Sequence, residues 1–367
     1  MTYNKNDIIR IAKRENNTMR SYLVLNRLQA KHIPADPVET IEMFDTLAEK
    51  LSGKIDPATT LIIGFAETAT AIGAHLAVYH GTYYIQTTRE DIKGAKYIYF
   101  SEMHSHASEQ RIVRNELDKV IDGITDIVFA EDELTTGNTI LNAIHSINKA
   151  YKKRNFRFHA VSLINGMDKK SLNLFARKGV TIRFLIKTNN EEYEETAAAY
   201  ESSGRVVPAA HTNTIVNTVT AQGMINPRMM TTGKKYASAM KALYSFLKSL
   251  KKKTTKNVLF IGTEECMYPA IYIANRESKG VSRVRTHSTT RSPIAVCTDE
   301  AYPLHTRFEL HSLYDSERQT YIYDLDSYDH VVIVTDAPEG DETGLNELVA
   351  ALESVGNENI ELVRWIP

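Results

Sequence analysis

Two adjacent acids, Glu131 and Asp132, follow four apolar residues in the stretch IVFAEDELTTGNT at 127–139. Five small or polar residues then open a predicted helix: Thr135, Thr136, Gly137, Asn138 and Thr139. The first N–H groups of a helix have no partner inside the helix and favour an anion, so this turn suits a terminal phosphate. Ionised carboxylates only accept hydrogen bonds, so the acids suit two neighbouring hydroxyl groups. A phosphate beside two vicinal hydroxyls describes a ribose 5-phosphate.

Strands that alternate with helices must position these residues. Apolar runs predict strands in TLIIG, YYIQT, AKYIYF, ITDIVFA, FRFHAVSLING and VTIRFLIKT. Helices are predicted from the turn after Gly64 to about Tyr79, after the turn at 135–139, over 169–177, from Asp36 or Pro37, and over 236–250. This alternation predicts a parallel sheet covered on both faces, in which ligands bind beyond the carboxyl ends of the strands. The acids lie at such an end.

The stretch at 127–139 resembles the PRPP-binding motif of the type I phosphoribosyltransferases, where PRPP is phosphoribosyl pyrophosphate. The motif has four apolar residues, two acids, two apolar residues and then Thr-Thr-Gly-x-Thr. Glu133 stands where the family usually has an apolar residue. The alternative is an ordinary helix-capping turn in an α/β protein. The resemblance implies a type I phosphoribosyltransferase fold, with PRPP as co-substrate and Mg²⁺ bound through its pyrophosphate rather than in a protein metal site.

The same resemblance implies roles for three other segments. GFAETATAIG falls at the pyrophosphate loop of the family, and its candidate residues are Ala66, Glu67, Thr68, Ala69 and Thr70. Arg89 falls where a basic residue contacts pyrophosphate, a task that suits a planar, permanently charged guanidinium. FSEMHSHASEQ falls at the mobile catalytic loop, where His104 and His106 could supply a proton near neutral pH. A His-x-His metal site and a solvated loop without chemistry are the alternatives for these two histidines.

Several segments together resemble one subfamily, the phosphoribosyltransferase proteins with a C-terminal TRSP domain. They are NRLQAKHIP, GFAETATAIG, TTRE, SEMHSHASEQ and STTRSP, within residues 22–340. The genes of that subfamily lie in bacterial tellurium-resistance stress clusters. The resemblance implies transfer of ribose 5-phosphate between pyrophosphate and a base-like nitrogen acceptor, in the synthesis of a nucleoside-like metabolite. NRLQAKHIP is either a hood over the acceptor site or a structural arm, and the hood candidates are Asn26, Gln29, Lys31 and His32.

The second half of the chain repeats short strings of the first half in the same order. LIIGFAET is echoed by LFIGTEEC, TTR by a second TTR, EMHS by ELHS, and IVFAED by VVIVTD. Four matches at similar spacing predict that the TRSP domain is a degenerate copy of the first fold. Chance resemblance between two parallel sheets is the alternative. After Asp336 the copy reads APEGDETG and lacks the Thr-Thr-Gly turn, so any second anion site is expected at Thr289, Thr290, Arg291 and Ser292.

Length, charge and cysteine content limit the class of protein. A chain of 367 residues suggests two domains, which we predict as a phosphoribosyltransferase domain with its hood and connecting segment at 1–250 and a TRSP domain at 251–367. A net charge of −1 indicates neither nucleic acid nor an anionic membrane as partner. No apolar run approaches a membrane span, and two cysteines are too few for a disulfide framework. We therefore expect a cytoplasmic protein with small-molecule partners, either a homodimer or an intramolecular pseudo-dimer.

Three hypotheses for function remain open at this point. The first is an Mg²⁺-dependent phosphoribosyltransferase with PRPP and a base-like acceptor as substrates. The second is a regulator that binds PRPP or a nucleotide without turning it over. The third is an interaction scaffold in which neither fold is active.

Overall fold

The computed structural model of the chain describes residues 3–15, 20–100, 110–250 and 256–367. Two compact units account for these residues. The body of the first unit is Met43–Asn189 with Ile225–Ala239, and the second unit is Asn4–Glu42, Asn190–Met224 and Met240–Pro367. The domain boundary near residue 250 stays a prediction. The compact units divide the chain elsewhere, because segments before that boundary supply strands to the second unit.

Short strands make up both units. In chain order the strands are β1 (Ile9–Lys13), β2 (Tyr22–Asn26), β3 (Thr60–Gly64), β4 (Tyr83–Gln86), β5 (Tyr97–Tyr99), β6 (Arg111–Val113), β7 (Asp126–Leu134), β8 (Arg157–Asn165), β9 (Thr181–Lys187), β10 (Arg205–Val207), β11 (Asn217–Ala221), β12 (Thr231–Thr232), β13 (Asn257–Gly262), β14 (Arg283–Ser288), β15 (Thr306–His311), β16 (Gln319–Tyr323), β17 (His330–Thr335) and β18 (Ile360–Trp365).

Helices connect most of the parallel strands. The α-helices are α1 (Lys5–Ile8), α2 (Pro37–Glu49), α3 (Thr70–His80), α4 (Arg114–Leu117), α5 (Asn138–Ala150), α6 (Lys169–Arg177), α7 (Tyr193–Ala198), α8 (Gly233–Leu250), α9 (Tyr268–Glu277) and α10 (Thr343–Glu353), with a short 3₁₀ turn at Ile121–Gly123. The predictions for α2 and α6 are confirmed, because both helices carry a clear apolar face and clear end signals. Among the described residues, no helix is long and apolar enough to cross a bilayer.

The first unit is built on a six-stranded sheet in the order β12-β4-β3-β7-β8-β9. Strands β4, β3, β7, β8 and β9 are mutually parallel, and β12 runs antiparallel to β4. The predicted parallel α/β fold is confirmed. The carboxyl ends of β4, β3 and β7 are neighbours, so the loops that follow these strands meet at one edge of the sheet.

One predicted strand lies outside this sheet. Tyr97–Tyr99 pairs antiparallel with Arg111–Val113 in a separate two-stranded hairpin. In β5, Ile98 is buried whereas Tyr99 is exposed, an alternation typical of a strand with one wet face. The sequence-based assignment of this run to the alternating sheet pattern was therefore wrong.

Helix α3 packs directly on β3. A Cβ added to Gly73 would lie 2.7 Å from the Cα of Gly64, so only glycine permits this approach. Every residue of β3 is buried, and the first eight residues of α3 are also buried. This close packing fixes the direction in which the loop between the strand and the helix leaves the sheet.

The opposite edge of the first sheet is held by the buried carboxylate of Asp126. It accepts hydrogen bonds from Nε of Arg157 at 2.8 Å and from Nε2 of His159 at 2.9 Å. Burial raises the pKa of Asp126, but hydrogen bonds from Arg157, His159 and Thr125 outweigh it and lower the pKa to about 2. These contacts join β7 to β8 at the edge away from the loops that carry the predicted site residues.

The second unit has its own parallel sheet, in the order β11-β18-β17-β13-β14. Its central strand β13 pairs in parallel with β14 on one side and with β17 on the other. A smaller sheet, β10-β15-β16, contains the antiparallel hairpin β15–β16. The N-terminal hairpin β1–β2 belongs to this unit, where Arg14 is bridged to Ile294 and Ala35 to Thr286.

Candidate active site

The two predicted acids lie in the last part of β7, beyond the end of the neighbouring strand. Gly64, the last residue of β3, pairs with Ala130, and Glu131 then pairs on the other side with Ser162 of β8. Burial raises the pKa of Glu131, and the negative charge of the adjacent Asp132 raises it further, well above the usual range. A carboxyl with two acidic neighbours at a sheet edge therefore ionises reluctantly, and it would gain from donors supplied by a ligand.

Gly137 shapes the turn between β7 and α5. It has φ +74°, and an added Cβ would lie 2.4 Å from the ring of Phe175, so only glycine suits both the conformation and the space. The Oγ1 of Thr136 accepts from the N–H of Asn138 at 3.3 Å, and no side chain caps the helix at Gly137. Thr136, Asn138 and Thr139 are exposed. The first turn of α5 thus presents accessible N–H and hydroxyl groups, as a phosphate site requires.

A closed ring of three hydrogen bonds holds the loop that follows β3. The N–H of Ala66 donates to Oγ1 of Thr87 at 2.7 Å, and that hydroxyl donates to Oε1 of Gln110 at 2.8 Å. Nε2 of Gln110 donates back to the carbonyl of Ala66 at 2.7 Å. The peptide bond between Ala66 and Glu67 is cis. Because both main-chain groups of Ala66 are bonded, the loop at 66–70 has a defined conformation.

The rest of this loop is tied to the start of α3. Oγ1 of Thr70 donates to the carbonyl of Glu67 at 3.1 Å, and the hydroxyl of Tyr84 donates to the carbonyl of Thr70 at 2.9 Å. Ala69 and Thr70 are buried, whereas Thr68 is half-buried. Thr68 is therefore the most accessible residue of this loop, and its neighbours in the loop are buried.

Arg89 follows β4 on the same edge and is half-buried. The preceding residue, Thr88, donates its N–H to the carbonyl of Arg111 at 2.9 Å, and NH2 of Arg111 donates to the carbonyl of Arg89 at 3.3 Å. Arg111 also donates to Asp91 at 2.6 Å and stacks over the ring of Tyr97. The hairpin β5–β6 thereby fixes the main chain from which the Arg89 side chain extends.

The topology gathers most of the predicted site residues at one edge of the first sheet. The loop at 66–70, Arg89 and the turn at 135–139 follow the carboxyl ends of the adjacent parallel strands β3, β4 and β7, and the acid pair lies in the last part of β7. His104 and His106 lie outside the described residues. Gln110 is a residue that sequence reasoning missed, because no local pattern links it to Ala66, although it stands at the end of the segment SEMHSHASEQ.

The predicted hood residues belong to the second unit. Lys31 is fully buried, and its ammonium group donates to the carbonyls of Glu264 at 3.0 Å and Thr289 at 2.9 Å. Such burial favours the structural-arm alternative for this lysine. A role of this segment at an acceptor site stays a prediction.

The residues predicted for a second anion site lie after β14 in the second unit. Oγ1 of Thr289 accepts from the N–H of Glu264 at 3.0 Å, and Oγ1 of Thr290 accepts from the N–H of Ser292 at 3.2 Å. Nε of Arg291 donates to the carboxylate of Glu264 at 2.5 Å. The hydroxyl groups of Thr289 and Thr290 therefore accept hydrogen bonds from main-chain N–H groups. Arg291 is paired with the carboxylate of Glu264.

Oxygen ligands for a metal are limited at the first site. Among the described residues, no group of three or more His, Cys, Asp or Glu side chains could hold a metal ion. Mg²⁺ is commonly bound through one or two carboxylates together with substrate phosphates. The acid pair in β7 fits that mode of binding.

The strand order, the acid pair and the turn that opens α5 define an α/β protein with the type I phosphoribosyltransferase fold. A family model described as phosphoribosyl transferase matches residues 8–190, and a model of the TRSP domain that lies C-terminal to this transferase matches residues 228–352. Together the two models span most of the chain. The protein therefore belongs to the phosphoribosyltransferase family of enzymes, in the form that carries a C-terminal TRSP domain.

Three solved structures illustrate what the chain is similar to. Adenine phosphoribosyltransferase from Thermoanaerobacter pseudethanolicus is 16% identical, with a TM-score of 0.37, over 50% of this chain and 97% of that one. Orotate phosphoribosyltransferase from Aeropyrum pernix is 16% identical, with a TM-score of 0.33, over 52% and 94%. Adenine phosphoribosyl transferase from Trypanosoma brucei, in complex with AMP, pyrophosphate and ribose-5-phosphate, is 13% identical, with a TM-score of 0.36, over 49% and 76%. No curated protein gives a sequence match. At these low scores the family assignment depends on the family models and the fold on the observed topology.

Proposed function

We propose that the first unit transfers ribose 5-phosphate between the pyrophosphate of PRPP and a base-like nitrogen acceptor. One observation carries the proposal. The acid pair in β7 and the open first turn of α5 stand a few residues apart at the same sheet edge as the loop at 66–70. PRPP is a ribose with a phosphate at C5 and a pyrophosphate at C1. Its phosphate would lie at the first turn of α5, its hydroxyls at the acid pair and its pyrophosphate at the loop 66–70.

Each part of the edge has a distinct task in this proposal. The N–H groups and hydroxyls at 135–139 bind the 5-phosphate, because a helix N-terminus attracts an anion. Glu131 and Asp132 accept hydrogen bonds from the two ribose hydroxyls. The middle of the loop at 66–70, around Thr68, and the guanidinium of Arg89 hold the pyrophosphate, which is the anionic leaving group.

The reaction itself breaks the bond between C1 of the ribose and the pyrophosphate oxygen. Positive charge then develops at C1, as in other glycosyl transfers, and a nitrogen lone pair of the acceptor forms the new bond. When bound through the pyrophosphate, Mg²⁺ would neutralise part of the pyrophosphate charge and so make it a better leaving group. Hydrogen bonds from the ribose hydroxyls would favour the ionised form of the acid pair, whose negative charge beside the ribose ring would then stabilise the cationic transition state. The ring of hydrogen bonds through Gln110 keeps the loop amides in place.

A direct assay tests this function. The protein is incubated with PRPP, Mg²⁺ and a panel of purine, pyrimidine and other nitrogen heterocycles, and pyrophosphate release is measured. Release that depends on one acceptor class supports the transferase and names that class. Binding of PRPP in a calorimeter without release for any acceptor would instead support the sensor hypothesis. No binding would favour the scaffold.

A pair of variants separates chemistry from folding. Asp132→Asn keeps the size of the side chain and is expected to reduce turnover or PRPP affinity by at least roughly tenfold, because it loses a charge-assisted hydrogen bond. Asp122→Asn, at a carboxylate that is 94% exposed, is the matched control and should behave as wild type. Wild-type activity in the Asp132 variant would end the assignment of the ribose-binding acids.

A further inference from the structure

The second unit repeats the strand order of the first. Strands β4-β3-β7-β8 are neighbours in the first sheet, and β14-β13-β17-β18 are neighbours in the second. All of these strands are parallel. In both units an antiparallel hairpin follows the second of these strands in chain order. The hairpin β5–β6 lies between β4 and β7, and β15–β16 lies between β14 and β17. This strand order is common in doubly wound parallel sheets, so the hairpin at the same place in both units is the more specific resemblance.

Individual hydrogen bonds repeat as well. Thr87 donates its N–H to the carbonyl of Gly64 at 2.9 Å, and Thr289 does the same to Gly262 at 3.1 Å. The N–H of Ala66 donates to Oγ1 of Thr87, as that of Glu264 donates to Oγ1 of Thr289. These bonds align the two loops residue by residue.

The alignment extends into the hairpins and across the sheets. Thr88 donates its N–H to the carbonyl of Arg111 at 2.9 Å, and Thr290 donates to that of Tyr321 at 2.8 Å. Gly64 pairs with Ala130, and Gly262 pairs with Val334, which places Asp336 in register with Asp132. Arg291 takes the position of Arg89. The loop after β13 is therefore the counterpart of the loop proposed to hold pyrophosphate.

The carboxylate of Glu264 fills the space in front of this second loop. Its Oε2 accepts from Nε of Arg291 at 2.5 Å and from NH1 of Arg318 at 3.0 Å. Its Oε1 accepts a short hydrogen bond from the hydroxyl of Ser312. The side chain of Glu264 is 1% exposed, so the contacts are shielded from water. Three donors, Arg291 from the loop after β14 and Ser312 and Arg318 from the turn between β15 and β16, therefore converge on one buried anion.

The charges around this carboxylate suit an anion rather than a cation. Two guanidinium groups and a hydroxyl are the donors found where proteins bind carboxylate or phosphoryl groups. Glu265 lies 3.7 Å from NH2 of Arg291, and Asp315 lies 3.2 Å from NH2 of Arg318, so both cations have second acidic neighbours. The carbonyl of Glu264 accepts from Lys31, which fixes the loop main chain. The Glu264 side chain thus occupies the position that a bound anion would take.

We infer that Arg291, Arg318 and Ser312 form an anion site for a carboxylate or phosphoryl group, in which Glu264 is the built-in ligand. The interpretation of this site as the counterpart of a pyrophosphate site rests on the function proposed above for the first unit. In the first unit the aligned residue is Ala66, which has no carboxylate to take the position that Glu264 occupies in the second unit.

Removal of the built-in ligand tests the inference. In Glu264→Ala two half-buried arginines lose their shared partner, so the melting temperature falls. Millimolar inorganic pyrophosphate is expected to raise it again, and calorimetry should show one more bound equivalent than in wild type. The gain should disappear in Glu264→Ala/Arg291→Ala and in Glu264→Ala/Arg318→Ala. Inorganic phosphate and acetate, run in parallel, distinguish a phosphoryl from a carboxylate preference.

Glu347→Ala is the matched control for loss of a buried acid. Glu347 is 2% exposed and accepts from His311, and among the described residues its ion-pair partners are histidines rather than arginines. That variant should lose stability, and pyrophosphate should not restore it. Should Glu264→Ala be unfolded in plain buffer, refolding from denaturant with and without pyrophosphate gives the same readout. The inference is overturned if none of these anions stabilises or refolds Glu264→Ala more than Glu347→Ala.

The test is independent of the first site. If wild type binds neither PRPP nor pyrophosphate, the proposed function fails, yet a gain in Glu264→Ala over wild type would still support the second site. If wild type binds PRPP and Glu264→Ala gains nothing, the proposed function stands and the inference about the second unit fails.

Discussion

The side-chain amide of Gln110 donates to the main-chain carbonyl of Ala66 across 2.7 Å, while its oxygen accepts from the hydroxyl of Thr87. One side chain thus fixes the loop at 66–70 from the hairpin β5–β6. The residue is not itself a proposed ligand of the substrate. Its proposed effect is to hold the loop amides in the geometry that pyrophosphate requires.

Gln110→Leu removes both hydrogen bonds at a similar side-chain volume. We expect the KM for PRPP to rise roughly tenfold, because two hydrogen bonds of about 1 kcal/mol each no longer order the loop. Steady-state kinetics that separate KM from kcat measure this effect. Thr125→Val, which removes a hydroxyl bonded to Asp126 at the far edge of the sheet, is the control. Equal KM values for Gln110→Leu and wild type would rule out the positioning role.

Glu131→Gln is expected to stabilise the protein while it weakens PRPP binding. Burial and the charge of Asp132 raise the pKa of Glu131 above its usual value of 4.5. Since the folded pKa lies above the unfolded one, ionisation of Glu131 costs stability as pH rises from that value through the folded pKa. The variant should therefore melt at a higher temperature than wild type in mildly alkaline buffer, and the two should converge below pH 4.5.

Calorimetry with PRPP supplies the second half of that test. Loss of a carboxylate acceptor for a ribose hydroxyl should weaken binding by about 1.5 kcal/mol or more. A variant that binds as wild type does would remove Glu131 from the proposed site. Equal melting temperatures of the variant and wild type at every pH would show that ionisation of the half-buried Glu131 does not lower the stability of the fold.

Gly137→Ala combines a strained backbone with a collision. At φ +74° an alanine costs about 1 kcal/mol, and its Cβ would lie 2.4 Å from the ring of Phe175. We expect a total loss of about 2–4 kcal/mol in the free energy of unfolding, together with loss of PRPP binding. Gly94→Ala is the matched control, because Gly94 has φ +78° but no atom within 4 Å of an added Cβ. If both variants lose the same stability, Phe175 does not constrain the turn.

His287 is expected to make the second unit sensitive to mild acid. Burial and, to a smaller extent, the nearby Lys31 lower its pKa from 6.5 to about 4, although the hydrogen bond from its Nε2–H to the carbonyl of Tyr323 at 2.8 Å acts in the opposite direction. Between these two pH values only the unfolded state binds a proton, so stability present above pH 6.5 is lost as pH falls toward 4. At about pH 5 the loss from this one side chain is about 2 kcal/mol.

His287→Gln retains a donor for Tyr323 but cannot titrate. Denaturant unfolding followed at neutral pH and at about pH 5 should show a smaller loss of stability in the variant than in wild type, by about 2 kcal/mol. The comparison uses the change with pH, so any packing defect of the variant cancels. Parallel pH dependence in the two proteins would contradict the prediction.

The regular elements were largely predictable from sequence, because their patterns are local. The apolar run that ends at Gly64 and the amphipathic segment Lys169–Arg177 match the structure closely. The motif at 127–139 could be recognised for the same reason, since its acids and its turn are contiguous. The order of the four central strands in the second unit also agrees with the repeat predicted from short strings.

Relationships between distant residues were not predictable in this way. Gln110 and Ala66 are joined by hydrogen bonds that no spacing encodes, and Glu264 faces Arg318 from another segment of the chain. The assignment of Tyr97–Tyr99 to the main sheet failed because three residues are too few to distinguish a hairpin strand from a buried one. The roles of the site residues, including His104 and His106, remain predictions.

In each of the two sheets described for the parallel core of the second unit and its smaller neighbour, the outer strand β11 or β10 comes earlier in the chain than the strands it joins. β11 pairs with β18, and β10 pairs with β15, although both come before residue 250. A separately produced fragment 251–367 would therefore leave β18 and β15 as edge strands with unpaired backbone N–H and C=O groups. Such a fragment is expected to aggregate. A peptide that spans 205–221 could cap those edges in trans, as a donated strand does. In the full-length chain, β10 and β11 are synthesised before β15 and β18, so they are already present when those strands form.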